Sequence, residues 1–154
     1  AHELGKLLGS MADNGLHSAA DFDKQISAYQ REEMKLRNKI AELRSKSKTY
    51  AAAAHSLQVC RTYKSVWLEY ASKPLAQKET FHKQNEAALQ TYCRAASQLD
   101  KMGISLGTEP EKVRQLVTET ESRIADLIAE LKIVRKTNQA IQEDKKKVEQ
   151  IQSG

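Results

Sequence analysis

The chain has 154 residues with six glycines, two prolines, 5% aromatic and 29% charged residues, a turn-poor composition that suits long helices and argues against a compact sheet. It contains no run of about 18 apolar residues of the kind that spans a bilayer, and no signal peptide is expected. The net charge is +5, and the chain opens at Ala1 partway through an amphipathic stretch, which predicts a fragment of a larger polypeptide.

The first predicted element, over about residues 2–14, puts Leu4, Leu7, Leu8 and Met11 on one helical face and stops at Asn14-Gly15, residues that tolerate a left-handed helix end. Ser18 with Asp21 three positions later then resembles an acidic capping box. From Ser18 to Ser72 there is neither Gly nor Pro, so one helix over 18–72 is predicted, about 55 residues and near 80 Å long. Its weakest stretch is Ser45-Lys46-Ser47-Lys48-Thr49, where hydroxyl side chains compete for backbone hydrogen bonds. Along this helix Phe22, Ile26, Tyr29, Leu36, Ile40, Leu43, Tyr50, Ala54 and Leu57 fall at gaps of three and four, a heptad seam. After Leu57 the apolar stripe widens through Val59, Cys60, Tyr63, Val66, Trp67 and Tyr70, which calls for more than one packing partner.

Pro74 marks a turn, because the residue before a proline is pushed away from helical geometry. A helix over 76–102 follows, with Phe81, Ala88, Leu89, Tyr92, Ala95, Ala96, Leu99 and Met102 as its buried face and Gly103 as its stop. Thr108-Glu109-Pro110-Glu111 then supplies an N-cap, first-turn acids and a first-turn proline for a last helix over 109–151. Its seam runs Val113, Val117, Thr120, Ile124, Leu127, Leu131 and Val134, and resumes at Ile141 and Val148. Asn138 and Lys145 interrupt it as polar residues of the type that fix register or partner choice. The expected fold is all-α: a single elongated helical domain over 1–154, a bundle or coiled coil with two very long helices, one medium helix and a short N-terminal helix. Short connections at Pro74 and at 103–108 predict that consecutive helices alternate up, down, up. The outer halves of the two long helices would then project with uncovered stripes. Ile26, Tyr29, Leu36, Ile40, Leu43, Val134, Asn138 and Ile141 are the candidate interface residues on those stripes.

Charge is uneven. Residues 31 to 64 carry nine Lys or Arg against three Glu. Arg31, Lys35, Lys39, Arg44, Lys46 and Lys48 are the candidate nucleic-acid-binding residues, able to lie along a phosphate backbone and release counterions. The competing interpretation is a solvated coiled-coil face. No zinc finger, helix-turn-helix or basic-zipper pattern occurs, so any DNA contact is electrostatic and sequence-tolerant. Tyr63, Trp67 and Tyr70 recur at helical spacing and read as core in preference to a base-stacking platform. His2, His17, His55 and His82 are isolated, and no metal-ligand pair, glycine-rich phosphate loop or catalytic constellation can be assembled. No metal, cofactor or catalytic residue is expected. Cys60 and Cys93 lack CxxC or Cys/His partners and fit reduced thiols in a cytoplasmic protein.

These features carry a resemblance. The helix closing on Asn14-Gly15-Leu16, the long helix with Leu36, Ile40 and Leu43, and the stretch of Tyr63, Trp67 and Tyr70 form its first half. Leu99-Asp100-Lys101-Met102-Gly103, Pro110 and the charged last helix complete it. Together they resemble the C-terminal helical region of bacterial relaxases, the mobilisation proteins of plasmids and integrative conjugative elements. In such relaxases a separate N-terminal domain nicks DNA with a tyrosine and a histidine-bound metal, and none of that machinery matches this chain. The resemblance implies a noncatalytic accessory region that contacts DNA nonspecifically, dimerises, or docks to relaxosome and transfer proteins, without a membrane. The alternative is a coiled-coil protein-interaction or dimerisation module with no nucleic-acid role.

Overall fold

A computed structural model describes residues 18–153. Four helices follow in order: α1 (Ala19–Ser72), α2 (Leu75–Gln84), α3 (Glu86–Met102) and α4 (Pro110–Ser153), and no strand occurs among the described residues. The expected helix over 2–14 lies outside them. Two long helices, with shorter ones between, make the all-α bundle that the seams predict.

Local chemistry sets the boundaries. Ser18 caps α1, its Oγ accepting from the Asp21 N–H at 3.3 Å while its carbonyl accepts from Phe22 at 3.1 Å. The polar stretch at 45–49 does not interrupt the helix, because the Thr49 hydroxyl donates back to the Ser45 carbonyl at 3.1 Å and leaves the helical ladder in place. The predicted helix over 76–102 is present with a break. Asn85 sits at φ −126° and ψ 25°, outside helical geometry, and the Phe81 carbonyl accepts from both its backbone N–H and its side-chain Nδ2, each at 3.0 Å. Of the two pieces, α2 buries no residue, and Phe81 is only half-buried there. By contrast α3 buries Leu89, Tyr92, Ala95 and Leu99.

Gly103 ends α3 in the left-handed region at φ 70°, with its N–H on the Asp100 carbonyl at 3.0 Å and the Ile104 N–H on the Leu99 carbonyl at 2.9 Å. That double closure is a Schellman motif, and Ile104 adds its apolar contact to the core around Leu99. Helix α4 begins at Pro110, with the Lys112 N–H on the Glu109 carbonyl at 3.1 Å.

The chain divides into two compact units, the first drawn from residues up to Arg44 and from Ser122 onward, the second from Ser45–Glu121. In the first unit α1 and α4 are antiparallel. Lys145 Nζ reaches Asp23 at 2.7 Å and Arg135 Nε reaches Glu33 at 2.9 Å, so numbers rise on one helix as they fall on the other. Along this pairing Phe22, Tyr29, Leu36 and Ile40 of α1 form one core with Ile124, Leu127, Leu131, Val134 and Ile141 of α4.

The second unit has its own core of Ala53, Ala54, Leu57, Cys60, Tyr92, Ala95, Leu99 and Val113. Within it α3 is antiparallel to α1, as the Ser56 to Gln98 hydrogen bond at 3.0 Å and the Trp67–Tyr92 stack at 5.3 Å require. So is α4, from the Arg61–Glu109 bridge at 2.9 Å and the Arg114 to Gln58 hydrogen bond at 3.4 Å. The order is therefore up, down, down. The expected alternation fails at the segment between Gly103 and Pro110, which carries the chain back along α3 before α4 sets off in the same direction. The gain is hydrophobic: with α4 antiparallel to α1, the stripes expected to stand uncovered close on one another.

Candidate nucleic-acid interface

The six candidate basic residues lie on α1, and each is exposed: Arg31, Lys35, Lys39 and Arg44 in the first unit, Lys46 and Lys48 in the second. Their direction follows from the seam. Because Leu36, Ile40 and Leu43 face inward, the heptad repeat puts Lys39 and Lys46 on one flank and Arg44 on the other, with Arg31, Lys35 and Lys48 on the outer arc. They form a basic sleeve more than a single row. Lys39 contacts Glu42 at 3.5 Å, one turn away and exposed on both sides. The remaining five take part in none of the ion pairs found among the described residues.

Arg37 behaves differently. Glu33 accepts from both Arg37 and Arg135 at 2.9 Å, so these guanidinium groups are committed to the pairing of α1 with α4. Lys145 is committed likewise. Its hydrogen bond to Asp23 is the main reason its ammonium titrates above the ordinary lysine value, whereas Lys146 and Lys147 point to solvent.

The eight candidate interface residues come together, and they do so inside the chain. Tyr29, Leu36, Ile40, Val134, Asn138 and Ile141 are buried, and Ile26 and Leu43 pack half-buried against the same core. The seam is thus occupied by the protein's own helices. Asn138, 7% exposed, leaves its Oδ1 without a hydrogen bond, and Gln25 Oε1 in the same unit is in the same position. The antiparallel register set by the two cross-helix bridges puts Asn138 level with Tyr29, whose burial raises its phenol pKa.

A feature outside the sequence expectation lies in the second unit. Tyr63, Trp67 and Tyr70, read as core, are only half-buried. Tyr92 supplies the buried ring, and Trp67 stacks on it at 5.3 Å with 13° between planes. Beyond Pro74, α2 returns Phe81 to 6.4 Å and His82 to 6.1 Å from the Tyr70 ring. Trp67, Tyr70, His82, Leu89, Gln90 and Cys93 line a cavity of about 240 Å³. Lys78 lies 5.4 Å from the Tyr70 ring centre and Lys73 5.3 Å from that of Phe81. The signal in the sequence was the spacing of Phe81 and His82 from Pro74, which lets a short helix fold back over Tyr70.

A second cavity of about 280 Å³ is lined by Cys60, Arg61, Lys64, Tyr92 and residues 106–109. Arg61 there is bound to Glu109 at 2.9 Å, which neutralises it toward an anion. Among the described residues no group of three or more His, Cys, Asp and Glu is placed to hold a metal ion, and no helix is long and apolar enough to cross a membrane. No protein-family model, curated protein or solved structure matches the chain.

Proposed function

We propose that this chain is a noncatalytic accessory domain of a DNA-mobilisation relaxase, acting in the cytoplasm by holding DNA through sequence-independent contacts or by docking to other relaxosome and transfer proteins. The observation that carries the DNA contact is the basic sleeve of α1, whose six candidate side chains are exposed and, Lys39 apart, outside the ion pairs found among the described residues. Exposed cations at spacings of two to five residues along one helix suit a phosphate backbone, because each contact releases condensed counterions. The closing of the apolar seam within the chain favours this over dimerisation through the same stripe.

The test is a fluorescence-anisotropy titration of DNA at two salt concentrations, with the mass followed by light scattering. We expect dissociation constants on the order of 1–100 µM that weaken steeply with salt. Replacing Lys35, Lys39, Lys46 and Lys48 together by Glu abolishes binding and leaves helicity intact. Unchanged affinity in that variant would falsify the DNA contact. The protein-docking alternative then rests on Leu68 and Leu75, which are 55% and 89% exposed.

A further inference from the structure

The aromatic cavity of the second unit is built for a flat ligand. Trp67 has Tyr92 against one side and stays half-buried, Tyr70 tilts beside it at 5.7 Å, and His82 closes the wall from α2. An ordinary core would have covered these rings. Leu89 lines the apolar floor, and Gln90 brings an amide to the rim, held by Glu86 at 3.3 Å. Of the lysines on the neighbouring turns, Lys73 and Lys83 pair with Glu69 and Glu79 at 3.6 Å, while Lys78 takes part in none of the ion pairs found among the described residues. Lys78 stands over the Tyr70 ring of the cavity, and Lys73 stands over Phe81 with its ammonium also on Glu69.

Stacked rings beside ammonium groups match the two halves of a nucleotide, a π-faced base and an anionic phosphate. We propose that this cavity takes an unpaired base of single-stranded DNA, which stacks against Trp67 and Tyr70 while Lys78 meets a flanking phosphate. The proposal rests on the DNA-contact reading above and adds a strand preference to it. A duplex cannot use the cavity, because its bases already stack on both faces, and only a splayed base presents a free ring.

Trp67 is the single tryptophan of the chain, so its emission reports on the cavity alone. The experiment titrates the full chain with oligothymidylate and with a duplex of equal length, following tryptophan emission and anisotropy together. Oligothymidylate quenches Trp67 saturably and the duplex does not. Tyr70→Leu lowers single-strand affinity about tenfold, Tyr70→Phe restores it, and neither changes duplex affinity. Should Tyr70→Leu lose helicity, His82→Ala, at an exposed position, reads the same loss of single-strand affinity. Single-strand binding without quenching, or with affinity unmoved in these variants, overturns the base-docking cavity and leaves the basic sleeve standing. Absence of binding to either DNA overturns both.

Discussion

Cys60 and Cys93 carry the same thiol in opposite settings. Cys60 is 5% exposed in the core of the second unit, and burial pushes its pKa up, whereas Cys93 is exposed at the aromatic cavity. The thiolate is the reactive form, so a soluble alkylating reagent should modify Cys93 at least roughly tenfold faster than Cys60. Peptide mapping by mass spectrometry measures the two rates, and equal rates would mean that the Cys60 site opens readily. Much of this was legible from spacing: Leu89, Tyr92, Ala95 and Leu99 define a buried face, and Cys93 falls one residue off it. The exposure of Trp67 and Tyr70 was not legible. What covers an aromatic ring is decided by the segment that returns after the turn, and α2 buries nothing that would have sealed them.

At the scale of helices, the seams were the readable part. Gaps of three and four identified every residue of the first unit's core, because a narrow stripe on a long helix has to be buried somewhere. Direction was harder. The same stripes serve a parallel or an antiparallel partner, and the choice is made by polar residues at seam positions: Glu33 meets Arg135 and Lys145 meets Asp23 only in the antiparallel register. The break at Asn85 escaped because a single asparagine, a weaker helix former than the Gln84 and Glu86 beside it, is commonly tolerated within a helix and is too slight a signal to place a break. Asn138 is the seam's unsatisfied member. Replacing it by Leu removes a buried acceptor that lacks a donor and should raise stability by about 1–3 kcal/mol in urea unfolding. A loss of stability instead would show that the amide is satisfied in solution.

Over the whole molecule, two cores rather than one carry the fold, and each owns a tyrosine whose ionisation the fold opposes. Burial raises the pKa of Tyr29 in the first unit and of Tyr92 and Cys60 in the second, and the Asp23 hydrogen bond raises that of Lys145. All four hold their proton more tightly folded than unfolded. Their stabilising effect is thus complete below the ordinary values of 9.0 for Cys, 10.0 for Tyr and 10.5 for Lys, and disappears as pH climbs through the raised ones. The melting temperature should fall on the alkaline side, less steeply in Tyr29→Phe, and a flat profile from pH about 8 to 11 would contradict it. The division of cores at Ser45 and Ser122 coincides with the polar stretch at 45–49 that the sequence marked as weak. There the helix persists while the apolar packing changes hands. The bridge between Asp23 and Lys145 ties an early turn of α1 to a late turn of α4, so local opening of either helix end in the first unit costs the other its partner, and the two ends should open together.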